Sequence, residues 1–194
     1  MRRLPPVTTA VVLLAVGVMM ALGIWQLQRL QWKEGLIARY AAAQNDTRIL
    51  SVERIGNGET LAYRHVAIDC KVVTGWQVLS GRNAGGVAGW AQDARCGTDA
   101  GGAAPADVVI GWSRDPQRTQ WRGGAVTGIV VPGGELGAHL VADPPLAGLQ
   151  ANARPDPADT PNNHLAYAVQ WFLFAATALV IYALALHRRW RERG

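Results

Sequence analysis

The 194 residues contain only two cysteines, four histidines, two phenylalanines and three methionines. No G-x-S-x-G, H-E-x-x-H, phosphate-loop, G-x-G-x-x-G or C-x-x-C pattern occurs, so the usual signatures of hydrolases, zinc peptidases, nucleotide-dependent enzymes and dithiol enzymes are missing. The expectation is a protein that is not an enzyme. His65, His139, His164 and His187 are scattered, and none has the spacing of a paired metal site. Gly97 to Pro105 is a small-residue loop with nothing to build a core.

Charge is absent from two long stretches, Val7 to Leu27 and Leu165 to Leu186. Each is as long as the ~20 apolar residues that carry a helix across a bilayer. The net charge of +5 resides at the ends, on Arg2 and Arg3 and on Arg188, Arg189, Arg191 and Arg193 less Glu192. The middle is neutral. Basic ends beside apolar runs suit membrane lipid as a partner, and no nucleic acid is expected. A cleaved signal peptide competes for the first run, but the apolar core exceeds a usual h-region and no A-x-A site precedes Trp25, so an uncleaved anchor is expected. The positive-inside rule applied to the arginine tail places both termini in the cytoplasm and residues 28–163 outside. The absence of an amphipathic transit segment favours the cytoplasmic (inner) membrane of a bacterium, with a periplasmic central domain.

The expected organisation is a cytoplasmic N-terminus (1–6), a first transmembrane helix (7–27), its extension outside the membrane (28–45), a β domain (46–142), an extended linker (143–163), a second transmembrane helix (164–186) and a basic cytoplasmic tail (187–194). Trp25, Arg29, Trp32, Leu36 and Tyr40 form the helical stripe of that extension. Val66, Ile68, Cys70 and Val72 alternate with Ala67, Asp69 and Lys71, the period-two pattern of a half-buried strand. Further strands are expected at 76–80, 87–96, 108–112, 125–131 and 139–142, with a turn over Arg82 to Gly86. The fold class is therefore membrane α+β: two transmembrane helices flanking a small antiparallel, partly closed barrel-like extracytoplasmic domain.

Two chemical features remain. Cys70 and Cys96 would face each other in an unbulged hairpin centred on Asn83, close enough for a disulfide. Two buried free thiols are the alternative, and copper binding lacks a second soft ligand or a short C-x-x-x-C spacing. His164 stands after Pro161 and the capping residues Asn162 and Asn163, at the start of the second span. Tyr167, Ala168 and Trp171 share its face. Read from spacing alone, it is either an interfacial residue bonded to headgroups or a metal ligand.

Gly23-Ile24-Trp25-Gln26-Leu27-Gln28-Arg29 with Trp32-Lys33, and Asn162-Asn163-His164-Leu165-Ala166-Tyr167 with Gln170-Trp171-Phe172, resemble the two end signatures of the Surfeit locus protein 1 family. Tyr63-Arg64, Gly81-Arg82-Asn83, Gly111-Trp112 and Pro144-Pro145-Leu146 are weaker matches in the same order. Members usually carry arginine before the Gly-Trp pair, where this chain has Ile110. The resemblance implies an assembly factor for haem-copper cytochrome c oxidase that binds haem a transiently and aids its insertion into the largest oxidase subunit. A haem a synthesis enzyme is a further implied partner. His164 would be the axial iron ligand, with Trp25, Gln28, Tyr167 and Trp171 around the macrocycle and Arg29 or Arg64 toward the propionates. The alternative is a membrane scaffold that stabilises assembly intermediates without binding haem.

Overall fold

The computed structural model describes residues 5–56, 58–99 and 105–192. Arg2, Arg3, the centre of the Gly97–Pro105 loop and Arg193 lie outside the described residues. The chain divides into two units, one holding the helical residues through Leu36 and those from Thr160 on, the other Ile37–Asp159.

In the first unit, helix α1 (Pro6–Asn45) is unbroken over 40 residues, of which those through Leu36 belong here. Helix α2 (His164–Arg191) has 28 residues. Both are long and apolar enough to cross a membrane. Their apolar side chains are displayed rather than hidden: Val7, Leu14, Leu173, Val180, Ile181 and Leu184 are all exposed. A helix dissolved in water would turn one apolar stripe inward, whereas a helix in lipid has no such need. Where α1 meets α2, Gly23 is buried, and a Cβ there would lie 2.5 Å from Cε1 of Phe172. A glycine thus makes room for an aromatic ring, the small-residue device of membrane helix contacts. Nearer the other end, the Thr9 hydroxyl bonds the Tyr182 hydroxyl. Arg188, Arg189 and Arg191 occupy the last turn of α2, where the helix dipole favours cations.

The second unit is a seven-stranded sheet of β1 (Leu50–Ser51), β2 (His65–Cys70), β3 (Val72–Arg82), β4 (Ala88–Gly97), β5 (Pro105–Ser113), β6 (Gly124–Pro132) and β7 (Ala138–Ala142), ordered β1-β2-β6-β7-β5-β4-β3. The expected antiparallel, partly closed barrel is corrected. The sheet is open and mixed, because β1 runs parallel to β2 and β7 parallel to β5. The connection after β5 skips one place in the sheet, and β7 fills the gap between β5 and β6. Period-two patterning specifies which face of a strand is buried, not which strand lies beside it. β5 is buried over seven consecutive residues, so it carries little alternation at all.

One face of the sheet packs the core, with Val66, Ile68, Val108, Ile110, Val130 and Leu140 at its centre. Ile110, standing where the family's arginine would, is fully buried there. The stretch expected as an extended linker is corrected in its first half. Leu146 and Leu149 pack on the core, the Leu146 N–H donates to Ile110 O at 2.8 Å, and Gln150 exchanges both backbone bonds with Trp112. Unsatisfied backbone beside a sheet is costly, and this segment supplies the partners that β7 is too short to offer.

Cys70 and Cys96 are joined in a disulfide with Cα atoms 5.2 Å apart. The register behind that expectation was different, however. Cys96 faces Val73, not Cys70, because the β3–β4 hairpin is centred on Gly85 rather than Asn83, and a bulge between Val73 and Gly75 shifts the ladder by one residue. Cys70 ends β2 instead, and the next residue, Lys71, donates its N–H to Gly97 O at 2.9 Å. The bond therefore ties β2 to β4, strands that are not neighbours in the sheet.

The end of α1 belongs to this unit. Tyr40 meets Tyr63 with ring centroids 5.1 Å apart, and the Gln44 amide donates to Pro155 O at 2.6 Å. Tyr63 adopts φ 58°, a left-handed conformation that costs a non-glycine residue free energy and persists where surrounding contacts hold it. Its N–H donates to Val130 O and it buries against Ile129. The following Arg64 reaches Asp46 at 3.1 Å. Hydrogen bonds from Arg48, with help from Arg64, hold the Asp46 carboxyl well below the usual range.

Candidate functional site at the helix mouth

His164 is the first residue of α2 and is half-buried. Asn163 is the N-cap, but its side chain makes no capping hydrogen bond; the helix opens with the Tyr167 N–H on Asn163 O at 3.3 Å. The side-chain cap expected from Asn162 or Asn163 is thus corrected. The Asn162 side-chain oxygen is buried without a hydrogen-bond partner, a polar atom left available beside His164 in sequence.

The imidazole is held by α1. Nδ1 of His164 lies 2.7 Å from Oε1 of Gln26. An amide oxygen can only accept, so Nδ1 carries the proton and donates. The lone pair then resides on Nε2, the arrangement that a neutral, second-nitrogen-anchored histidine ligand requires. The donor set therefore fits a haem iron, with Gln26 setting tautomer and ring orientation.

The other expected site residues are placed differently. At about 100° per residue, a helix that turns Gln26 toward His164 turns Gln28 to the far side. Gln28 is exposed accordingly, and the expected Gln28–His164 approach is corrected: Gln26 makes it. Trp25 is 53% exposed and Tyr167 51%, so neither ring is packed within the protein. Arg29 stacks its guanidinium over the Trp32 ring at 4.0 Å, which leaves its charge facing outward. Trp171 is half-buried and meets Phe174 edge-on, with centroids 6.1 Å apart. Gly23, Gln26 and Phe172 are the residues that sequence reasoning passed over. The i, i+3 spacing of Gly23 and Gln26 was the available signal, since it puts a gap and an acceptor on one helix face.

Two helices long and apolar enough to cross a membrane, an open mixed sheet stapled by a disulfide, and an imidazole oriented by a facing glutamine at a helix start define a two-helix β-domain protein. The model of the SURF1 family matches residues 13–176. The chain belongs to that family, the Surfeit locus protein 1 family, which is associated with cytochrome c oxidase assembly. No curated protein matches the chain closely enough to stand as a relative.

Proposed function

We propose that this protein is a haem a carrier in oxidase assembly, not an enzyme, and that it aids insertion of haem a into the largest oxidase subunit. The observation that carries the reading is the 2.7 Å contact between His164 Nδ1 and Gln26 Oε1, which leaves Nε2 free to ligate. A histidine that merely met headgroups would need no such orientation. Haem, when bound, supplies the iron to which the Nε2 lone pair donates and an absorbance that reports its ligation. The exposed rings of Trp25 and Tyr167 offer apolar faces for a flat macrocycle at the membrane surface, and Arg29 a cation for propionates. The proposed setting is a bacterial inner membrane with both termini cytoplasmic, and a haem a synthesis enzyme is the proposed donor.

Full-length protein purified from cells making haem a tests this directly. His164→Ala should abolish the haem absorbance or shift it sharply while the protein still inserts. Gln26→Leu should weaken loading by about 10–100-fold, the usual effect of removing a residue that orients a metal ligand. His65→Ala and His187→Ala should leave the spectrum unchanged. A wild-type spectrum and haem content in His164→Ala would sink the ligand assignment and leave a scaffold without haem.

A further inference from the structure

The outer face of the sheet carries a charge imbalance that the haem reading does not use. The register sets Gln77 opposite Asp93 and Gly75 opposite Arg95 across β3 and β4, and Arg95 opposite Asp107 across β4 and β5. Asp107 in turn faces His139 on β7. One strand-crossing row therefore gathers an arginine, a carboxylate and an imidazole, beside a second carboxylate.

Arg95 is already divided. Its Nε donates to Asp107 Oδ1 at 2.8 Å and one terminal nitrogen donates to Glu135 Oε2 at 2.8 Å. Asp93 gets no such share. It is only 7% exposed, accepts from the Val108 N–H, and leaves Oδ1 buried without a hydrogen-bond partner. Gly75, Trp76, Gln77, Asp93, Arg95 and Asp107 line a cavity of about 200 Å³. With its carboxylates ionised, the group holds three negative charges against one positive. His139 does not redress this, because burial lowers its affinity for a proton. Gln77 adds no charge and donates its amide to Glu135, leaving its carbonyl as a second acceptor.

An unpaired buried carboxylate beside a neutral acceptor calls for a donor that brings positive charge. A metal ion fits poorly, since no cluster of three His, Cys, Asp or Glu side chains among the described residues could hold one, and Arg95 already occupies the space between carboxylates. An ammonium or guanidinium group needs only acceptors, and these are present. The cavity also lies against the Gly75–Gln77 part of β3, an edge strand of the sheet, whose outer hydrogen-bonding groups there can receive an extended chain, while its far end is met by the Ala153 N–H on Arg82 O.

We propose that this cavity is a socket for a lysine or arginine side chain of a partner polypeptide lying beside β3, with Asp93 as the counter-ion. Carboxylate and ammonium or guanidinium complete one another, and the Gln77 carbonyl fixes the direction of entry. The site is separate in sequence and chemistry from His164, so it stands or falls independently of haem binding.

Calorimetric titration of the full-length protein in non-ionic detergent with the blocked peptide acetyl-Gly-Lys-Gly-amide tests it, with acetyl-Gly-Gln-Gly-amide, n-butylammonium and Mg²⁺ as comparisons. The lysine peptide should bind, and near pH 5.5 it should release protons as the carboxyl gives up its own. Asp93→Asn should cut the affinity at least tenfold without altering the haem spectrum. Gln77→Lys, which supplies an ammonium from the facing strand position, should abolish peptide binding and raise the melting temperature. Equal binding of the glutamine peptide, or an Asp93→Asn protein that binds as wild type, overturns the proposal. Binding of Mg²⁺ that displaces the peptide overturns it in favour of a metal site. Butylammonium binding as tightly as the peptide overturns the polypeptide partner in favour of a free amine.

Discussion

At the scale of single residues, Asp93 makes the clearest physical prediction. Burial, aided by the negative charge of Asp107, pushes its pKa up to about 6 from the model-peptide value near 3.8, against the opposing pull of Arg95 and the Val108 N–H. A carboxyl whose affinity for a proton rises on folding stabilises the fold while protonated and loses that stabilisation as pH rises through the folded value. The shift corresponds to something on the order of 2–3 kcal/mol, lost between about pH 4 and pH 6. Asp93→Asn abolishes the titration but keeps the acceptor for Val108. Wild-type stability measured by chemical denaturation should therefore fall relative to that of the variant over this pH interval, and a constant difference would refute the assignment. Carboxyls not coupled to Asp93, such as Asp46 held below its usual range by Arg48, titrate equally in both proteins and cancel in the comparison. None of this was legible beforehand. Asp93 is one of several acidic residues in a strand region, and only its neighbours across β3 and β5 make it buried and unpaired. His164, in contrast, was legible, because a lone imidazole at the start of an uncharged run is conspicuous in the chain itself.

Among the elements, the link between β2 and β4 is the one whose removal should be felt most. The disulfide closes a separation of 26 residues, and both cysteines are almost fully buried. Constraining a loop of that length in the unfolded chain stabilises by roughly 2–4 kcal/mol. Cys96→Ser, or reduction of the wild type, should lower the melting temperature of the β unit by about 10 °C, read by circular dichroism; an unchanged melting curve would show that sheet and core suffice. Mass analysis of unreduced protein should show no alkylatable thiol. The strands themselves were largely visible as alternation and turn residues, and the observed β2 to β7 fall on the expected segments. β1 was missed, since its two residues are too short to show a period. The β3–β4 hairpin turns about Gly85 rather than the expected Asn83, and a bulge between Val73 and Gly75 adds a shift of its own. A glycine-rich turn such as Arg82 to Gly86 does not announce its own centre, and no local pattern in Val72 to Gly75 announces the bulge.

At the scale of the whole molecule, the prediction concerns sidedness. Two helices of spanning length return the chain to the side on which it began, and the last turn of α2 is basic. Cations flanking a span are retained on the cytoplasmic side. Reporters fused after Gly194 and inserted within the Gly97–Pro105 loop should therefore report opposite compartments, the first cytoplasmic and the second periplasmic. The same compartment for both would contradict the two-span reading. Oxidase assembly itself is the outer measure: a strain carrying His164→Ala should accumulate less active oxidase although the variant reaches the membrane in normal amount.

What the sequence by itself determined here are the features written in local energies. The two uncharged runs mark helices long and apolar enough to cross a membrane, and a helix satisfies its backbone hydrogen bonds within the segment as a bilayer requires. Alternating residues place most strands, and the end motifs mark the family. The tertiary structure alone decided what depends on partners distant in the chain. It chose Gln26 over Gln28 for His164, since the azimuth of α1 follows from the Gly23–Phe172 contact and not from composition. It inserted β7 between β5 and β6, making the sheet mixed and open where a closed antiparallel one was expected. And it left one carboxylate of three without its share of Arg95, a consequence of strand register that no stretch of the chain contains on its own.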